Sequence, residues 1–193
     1  MKKSHKGMQL PESKAVSSGS LTLIDALRDA TCYSHTVYRV DVIETHASWV
    51  ILTGEHAYKI KKPVDLGFLD YSTLEKCHHA CYEELRLHHT LAPELYIDVV
   101  LITGLVTAHH MNGEGDAIEY SVYMHEFDQR CQLDHMLELF ELRIEDMDAA
   151  VRHVAAFHAA TPRLDLARSY GRERDMHRPV TDNISAIVSL LDG

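Results

Sequence analysis

The sequence predicts an α+β protein in which an antiparallel sheet and one long helix are followed by helices only. Up to about residue 127, segments rich in β-branched and aromatic residues alternate with turn signals, in the order strand, strand, strand, helix, strand, strand. Beyond that point the apolar residues recur at helical spacing. We therefore expect a five-stranded lobe over 21–127 and the first helices of an incomplete helical lobe over 128–193.

The elements of the first lobe follow one another closely. Residues 1–20 hold four lysines, one acidic residue and few apolar side chains, which indicates a disordered basic tail. A short helix is expected over 21–30, where the apolar residues share one helical face. Ser72 and Glu75 form a capping-box pattern, which starts a longer helix that ends near Leu91. The strands are predicted at Val37–Glu44, Ser48–Thr53, Ala57–Lys61, Tyr96–Thr103 and Ile118–Met124.

The second lobe is predicted from helical spacing alone. Cys131–Phe140 and Ile144–Ala160 have this spacing, so both are expected to be helical. Residues 161–180 are expected to be irregular, and Asp182-Asn183 is interpreted as a cap before a helix that starts at Ile184.

The composition is that of an ordinary globular protein. Of the 193 residues, 46% are hydrophobic and 25% are charged, and the formal net charge is −10. This acidic balance argues against nucleic-acid and membrane partners, which both favour a basic surface. No apolar run approaches the roughly 20 residues of a membrane helix, and no signal-peptide pattern is visible. We therefore expect a cytoplasmic protein.

Glu84 is the most informative residue of the long helix. At about 100° per residue it lies in the middle of the apolar face, beside Cys77 and Leu91. An unpaired carboxylate there would be costly, so a cationic partner is expected, and Lys59 in the third strand is the candidate. A strand lysine paired with a helix glutamate positions ATP phosphates in protein kinases. The alternatives are a Glu84 side chain that reaches the helix edge, or one that pairs with His88.

Two neighbouring features admit both a structural and a chemical interpretation. Lys61 alternates onto the same face of the strand as Lys59 and could reach a phosphate, although a solvated lysine is the commoner case. Cys77, Cys81 and His88 are zinc-ligand types on one helical face, but they span three turns without the usual knuckle spacing. We therefore predict buried cysteines that act as small apolar residues, and no metal site.

Several short motifs between residues 40 and 100 together resemble those of a known protein family. The motif that identifies this family most specifically is Ala57–Asp70 (AYKIKKPVDLGFLD). The others are Ile43–His46 (IETH), Ser48–Val50 (SWV), Leu52–Gly54 (LTG), Glu83–Leu87 (EELRL) and Ala92–Tyr96 (APELY). On these motifs the chain resembles the aminoglycoside-phosphotransferase-like kinases, over roughly residues 23–163. It is most similar to a bacterial subgroup in which the kinase-like domain precedes a P-loop ATP-binding domain.

The resemblance implies a bilobal, protein-kinase-like fold that uses ATP with Mg²⁺ to phosphorylate a hydroxyl. Lys59 would contact the α- and β-phosphates, and Glu84 would hold Lys59 in place. The turn formed by Thr45, His46 and Ser48 would stand where kinases place a phosphate-covering loop, although it contains no glycine.

The resemblance also implies an adenine subsite between the lobes. Met124 would border the adenine ring. The backbone of His125, Glu126 and Phe127 would form the hinge. The predicted nucleotide-binding residues are thus Lys59, Glu84, Thr45, His46, Ser48, Met124, Glu126 and Phe127.

The chain departs from the family where catalysis takes place. Phosphoryl transfer needs a catalytic aspartate and Mg²⁺ ligands, which the family keeps beyond the helix that ends here near Ala160. His177-Arg178-Pro179 resembles the opening of such a loop, with Pro179 in place of the aspartate. The GxxxxGK[ST] pattern of a P-loop domain is not found either. The chain is therefore expected to be truncated before the catalytic loop and to hold no catalytic residue.

Two functions follow as hypotheses. The first is the nucleotide-binding part of a small-molecule kinase, which alone is inactive and binds ATP weakly or not at all. A downstream P-loop ATPase domain or a separate polypeptide would complete it. The alternative is a non-catalytic interaction module or pseudokinase fragment, in which exposed apolar helices at Ile144–Ala160 and Ile184–Leu191 dock on a partner.

Overall fold

The computed structural model describes residues 23–105, 108–162 and 173–191. These residues form an α+β architecture, as predicted, around a single antiparallel sheet. They divide into two compact units between Leu142 and Arg143, so the predicted lobe boundary after residue 127 lies inside the first unit. The predicted disordered tail, residues 1–20, lies outside the described residues.

The sheet of the first unit has six strands rather than the expected five. In sheet order they run β1-β2-β3-β6-β4-β5, and every neighbouring pair is antiparallel. The bounds are β1 (Asp41–Glu44), β2 (Ser48–Leu52), β3 (His56–Lys61), β4 (Tyr96–Leu105), β5 (Ala108–Met111) and β6 (Ala117–His125).

The extra strand, β5, lies at the sheet edge, and it falls between the predicted strands Tyr96–Thr103 and Ile118–Met124, where no strand was predicted. Its sequence, Ala-His-His-Met, contains no β-branched residue, so it carries no strand signal of its own. The pairing with β4, in which Ile102 lies opposite Met111, holds it in the sheet. Tertiary pairing therefore decided the structure of this segment.

Strand alternation gives the sheet two buried faces. On the back face, Trp49, Ile51, Tyr58 and Ile60 pack with apolar residues of the segment 24–33. On the front face, Leu52, Ala57, Val122 and Met124 pack with Cys81 of the long helix. Successive residues of β3 therefore contribute to different cores, and this alternation sends its lysines to the front.

The long helix α1 (Leu74–His88) packs on the front face, mainly over β6 and β4. It begins one residue later than the capping-box pattern indicated, because the Thr73 side chain is the N-cap and accepts from the Lys76 amide. The Ser72 hydroxyl instead donates to Asp70 Oδ1 at 2.6 Å, which removes it from the capping position. Its two cysteines are buried, as predicted, and burial raises the pKa of each thiol to about 12.

After the sheet come a short 3-10 helix (Gln129–Cys131) and the α-helices α2 (Leu133–Glu138), α3 (Ile144–Ala160) and α4 (Glu173–Leu191). The predicted bounds of α3 are confirmed. The expected irregular stretch is wrong for residues 173–180, and so is the cap at Asp182, because these residues lie inside α4. The part of that stretch at 163–172 lies outside the described residues. Arg and Glu are good helix formers, and Arg178 pairs with Asp182 one turn later at 3.6 Å.

Within 23–105, 108–162 and 173–191, no helix combines the length and the apolar character needed to cross a membrane.

Candidate functional site

A cavity of about 290 Å³ opens on the front face of the sheet. Strands β1, β2, β3 and β6 and the segment after β6 form its walls. The walls are largely apolar, with Ile43, Val50, Leu52 and Ala57 among the lining residues. Lys59 is the one lysine or arginine among the described residues that line it. The cavity therefore combines an apolar slot with one cationic group.

The structure brings most of the predicted nucleotide-binding residues to this cavity or next to it. Glu84 bonds to the lining residue Lys59. His46 lies in the turn between β1 and β2, and Ser48 is the first residue of β2; neither lines the cavity. The predicted residues that line the cavity are Thr45, Lys59, Met124, Glu126 and Phe127.

The predicted ion pair between Lys59 and Glu84 is present, with 2.8 Å between Lys59 Nζ and Glu84 Oε1. A second lysine, Lys61, donates to Glu84 Oε2. The Glu84 side chain is only 8% exposed, which excludes the alternative at the helix edge. His88 Nδ1 lies 3.9 Å from Glu84 Oε1 and is within 2.9 Å of the Tyr96 hydroxyl, so the local pair does not replace the lysine contacts.

The expectation of a solvated Lys61 is wrong. Its side chain is 4% exposed, against 29% for Lys59. The strand places both lysines on the front face, and α1 covers the Lys61 position, so its ammonium group is buried beside Glu84. The Lys61 ammonium also lies 5.2 Å from the centre of the Tyr71 ring, where the ring quadrupole stabilises a cation.

Both buried members of this cluster favour their ionised forms. Burial raises the pKa of Glu84, but the hydrogen bonds from Lys59 and Lys61 outweigh it and hold that pKa below its ordinary value. Burial lowers the pKa of Lys61, but the contacts with Glu84 outweigh it and raise that pKa. Two ammonium groups and one carboxylate leave the cluster with a net charge of +1.

The turn from Thr45 to Ser48 closes without a glycine. The Thr45 hydroxyl accepts from the Ser48 amide and donates to the Ser48 carbonyl, both at 3.0 Å. Ser48 itself is buried, so its polar groups serve the turn. His46 is exposed at the tip, and Thr45 lines the cavity. Of the predicted residues in this turn, these two are best placed to meet a ligand.

The polar groups of the segment after β6 are engaged within the protein. The Glu126 carboxylate accepts from the Gly54 amide at 2.8 Å and pairs with Arg39, so it is turned toward the β2–β3 connection. Gly54 has φ +104°, and a Cβ there would lie 3.0 Å from the Tyr38 ring. The Phe127 carbonyl accepts from Gln129 Nε2 at 3.1 Å. Glu126 is thus a structural anchor of this segment.

Within 23–105, 108–162 and 173–191, no group of three or more His, Cys, Asp or Glu side chains could hold a metal ion. The Cys77 thiol donates to the Tyr71 carbonyl at 3.4 Å, and the Cys81 thiol to the Tyr120 carbonyl at 3.9 Å. The structure therefore uses these cysteines as small buried groups.

Sequence reasoning missed two parts of this site. Lys61 is the second partner of Glu84, and its signal was the two-residue spacing from Lys59. The apolar wall from Val50 and Leu52 had no distinct signal, because core residues and ligand-binding residues of a strand share the same side-chain types.

The chain is similar to an uncharacterized protein of Mycobacterium bovis and to uncharacterized proteins from two strains of Mycobacterium tuberculosis. Each is 33% identical to it over 163 residues. The aligned part covers 82% of this chain and 31% of each relative, so the chain spans about a third of the length of these relatives. No family model and no solved structure matches the chain.

Proposed function

We propose that the first unit is the nucleotide-binding part of an aminoglycoside-phosphotransferase-like kinase. The base of ATP occupies the apolar cavity on the front face, and the phosphates extend to Lys59. One observation carries the proposal: the ammonium group of Lys59 borders an apolar cavity and is held at 2.8 Å by a buried carboxylate, Glu84.

The size and lining of the cavity suit a base better than a whole nucleotide. Ligand pockets commonly have about 300–1,000 Å³, and this cavity, at about 290 Å³, lies at the lower limit. A flat ring fits between apolar walls such as Val50 and Met124. The phosphates then lie outside the slot, near Lys59 and the turn that contains Thr45 and His46.

The topology supports a protein-kinase-like interpretation of this unit. In such kinases a strand lysine pairs with a glutamate of the next helix, and the pair positions the phosphates. Here β3 supplies Lys59, and α1, the next helix in the chain, supplies Glu84. The sheet order, with β6 between β3 and β4, brings Met124 and Phe127 to the same cavity.

In this proposal, residues outside the first unit supply the remaining parts of the kinase. In the complete enzyme ATP is accompanied by Mg²⁺, and the described residues hold no group of three or more candidate ligands for it. The relatives are about three times as long as the aligned segment. We propose that such a continuation, as a P-loop ATPase domain or as a separate polypeptide, supplies the groups that transfer the phosphate to a hydroxyl.

An NMR titration of the chain with ATP tests the proposal. We expect an apparent Kd of about 0.1–1 mM, which corresponds to about 4–5.5 kcal/mol. Backbone shifts should concentrate at Val50, Leu52, Met124 and Phe127. Lys59→Met should weaken ATP binding at least about tenfold, because a charge-assisted contact is lost.

The matched control is Lys76→Met, which removes a half-exposed lysine that pairs with Asp70 instead of Glu84. Its affinity for ATP should equal that of the wild type. The proposal fails if ATP shifts no front-face resonance, or if Lys59→Met binds ATP as well as the wild type does.

A second function is favoured by the apolar residues that α3 exposes. Ile144 is 71% exposed and Val151 62% exposed, and Met147 and Val154 are exposed as well. Contiguous apolar surface of this kind often marks a docking site. If the chain is an interaction module, its sedimentation will show association that depends on concentration, that is lost in Val151→Glu and that ATP does not change.

A further inference from the structure

We propose that Lys61 is a positioning residue that keeps Glu84 neutralised while Lys59 turns to an anionic phosphate. This inference rests on the proposed nucleotide-binding function. It assigns different roles to two lysines that are two residues apart on the same face of β3.

The contacts divide the two lysines by environment. Lys61 is 4% exposed, donates to Glu84 Oε2 and lies over the Tyr71 ring. Lys59 donates to the other oxygen, Glu84 Oε1, lines the cavity and is 29% exposed. Only Lys59 is therefore able to change partner without crossing the packed interface between the sheet and α1.

The charges explain why a second lysine matters. In a simple pair of one lysine and one glutamate, a phosphate competes with the carboxylate for the ammonium group. A buried carboxylate that loses its partner is strongly unfavourable, so the competition weakens phosphate binding. Here Glu84 retains Lys61, and the positive charge of Lys59 is the excess charge of the cluster. The phosphate then meets a cation whose departure leaves no unpaired buried charge.

The decisive experiment compares ATP with adenosine as ligands of Lys61→Met. Both ligands fill the cavity, but only ATP reaches Lys59 with negative charge. We expect Lys61→Met to lower the affinity for ATP about tenfold, because Glu84 then holds Lys59. The affinity for adenosine should stay within about twofold, because the base slot is unchanged. Lys61→Arg should restore the affinity for ATP, since a guanidinium keeps the charge and the hydrogen bond.

Lys62→Met provides a matched control. Lys62 is the next residue, its side chain is 7% exposed against 4% for Lys61, and it pairs with Glu44 at 2.6 Å instead of with Glu84. This variant loses the same charge at almost the same depth. Its affinities for ATP and adenosine should both match those of the wild type.

A measurement on the wild type covers the case in which Lys61→Met does not fold. The ammonium resonances of both lysines are followed by NMR during an ATP titration. We expect the Lys59 resonance to shift and the Lys61 resonance to stay in place, still bonded to Glu84.

Several outcomes overturn the inference. It is wrong if Lys61→Met binds ATP as tightly as the wild type, if ATP and adenosine lose affinity equally, or if the Lys61 resonance is the one that shifts. In these cases the wild type still binds ATP, so the proposed function stands. If the wild type binds neither ATP nor adenosine, both the proposed function and this inference fall.

Discussion

The two faces of strand β3 carry opposite kinds of chemistry. The back face presents Tyr58 and Ile60 to a core of aromatic and aliphatic side chains. The front face presents Lys59 and Lys61 to one buried glutamate, beside an apolar cavity. One alternating strand thus builds a packed interior and a charged site within a few ångströms of each other.

The two faces of the strand differ in how they stabilise the fold. An apolar interior stabilises a fold without partners, whereas buried charges need every partner in place. Stability alone does not explain why two lysines and a glutamate lie beneath a helix. The front-face cluster is therefore the part of the sheet whose composition calls for a functional explanation.

The largest expected effect is the loss of Glu84. Glu84→Ala leaves two ammonium groups together, one of them buried, and should lower the free energy of unfolding by about 3–5 kcal/mol at neutral pH. Because the folded pKa of Glu84 lies below its ordinary 4.5, its contribution is present above pH 4.5 and is lost as pH falls through the folded pKa. Urea denaturation at several pH values measures this loss.

Ile51→Ala is the back-face counterpart. Ile51 is fully buried, and its truncation should lower the free energy of unfolding by about 2–5 kcal/mol at every pH, because no titrating group is removed. On the helix surface, Glu83→Ala should leave the denaturation midpoint nearly unchanged. The comparison of faces breaks down if the Glu84→Ala deficit does not depend on pH, or if the Ile51→Ala deficit does.

A smaller effect is expected from a histidine cluster on the back of the sheet. The His56 ring lies 4.6 Å from His35 and 5.6 Å from His125, centre to centre, and its Nδ1 is buried without a hydrogen bond among the described residues. Burial, together with these two histidines, lowers the pKa of His56, although Glu55 opposes the shift. The Tyr123 ring packs on it at 5.0 Å.

This lowered pKa predicts a loss of stability in acid. The unfolded chain binds a proton at an ordinary pKa near 6.5, and the folded chain binds it at lower pH, so stability falls as pH drops below 6.5. His56→Phe should lose less stability than the wild type between pH 7 and pH 5 in thermal melts. Equal losses in the two proteins would show that His56 does not carry the effect.

The smallest expected effect is a gain in stability at Glu119. Burial raises the pKa of this carboxyl above its ordinary 4.5, although the Tyr120 amide bonds to it at 2.9 Å. The unfolded chain therefore loses the proton first, and the group lowers stability as pH rises above 4.5. Glu119→Gln should raise the melting temperature slightly at pH 7 and leave it unchanged below pH 4. Glu94→Gln, at an exposed position, should change it at neither pH.

The sequence predicted the structure correctly where a local residue pattern is compatible with only one structure. The wheel position of Glu84 and the alternation of β3 together predicted its pairing with Lys59. Helical spacing predicted Ile144–Ala160 with its observed bounds. In each case the pattern that carried the prediction lies within a single helix or a single strand.

Prediction from the sequence failed where contacts between distant parts of the chain determine the structure. The formation of strand β5 depends on its pairing with β4, and the residue types of β5 do not indicate a strand. The burial of Lys61 depends on how far α1 extends over the sheet, so strand alternation alone could not separate it from a solvated lysine. The cavity needs β1, β2, β3 and β6 at once, and no single segment encodes that arrangement.

The most direct test of the central claim is labelling with an acyl-phosphate derivative of ATP, which acylates an amine held beside the bound phosphates. Peptide mass spectrometry of the labelled chain then identifies the modified lysine. We predict acylation at Lys59, suppressed by excess ATP, with Lys61 and Lys62 unmodified because they are buried. Labelling spread over the exposed lysines, or labelling of Lys59 that ATP does not suppress, would contradict the proposal that the front face is a nucleotide site.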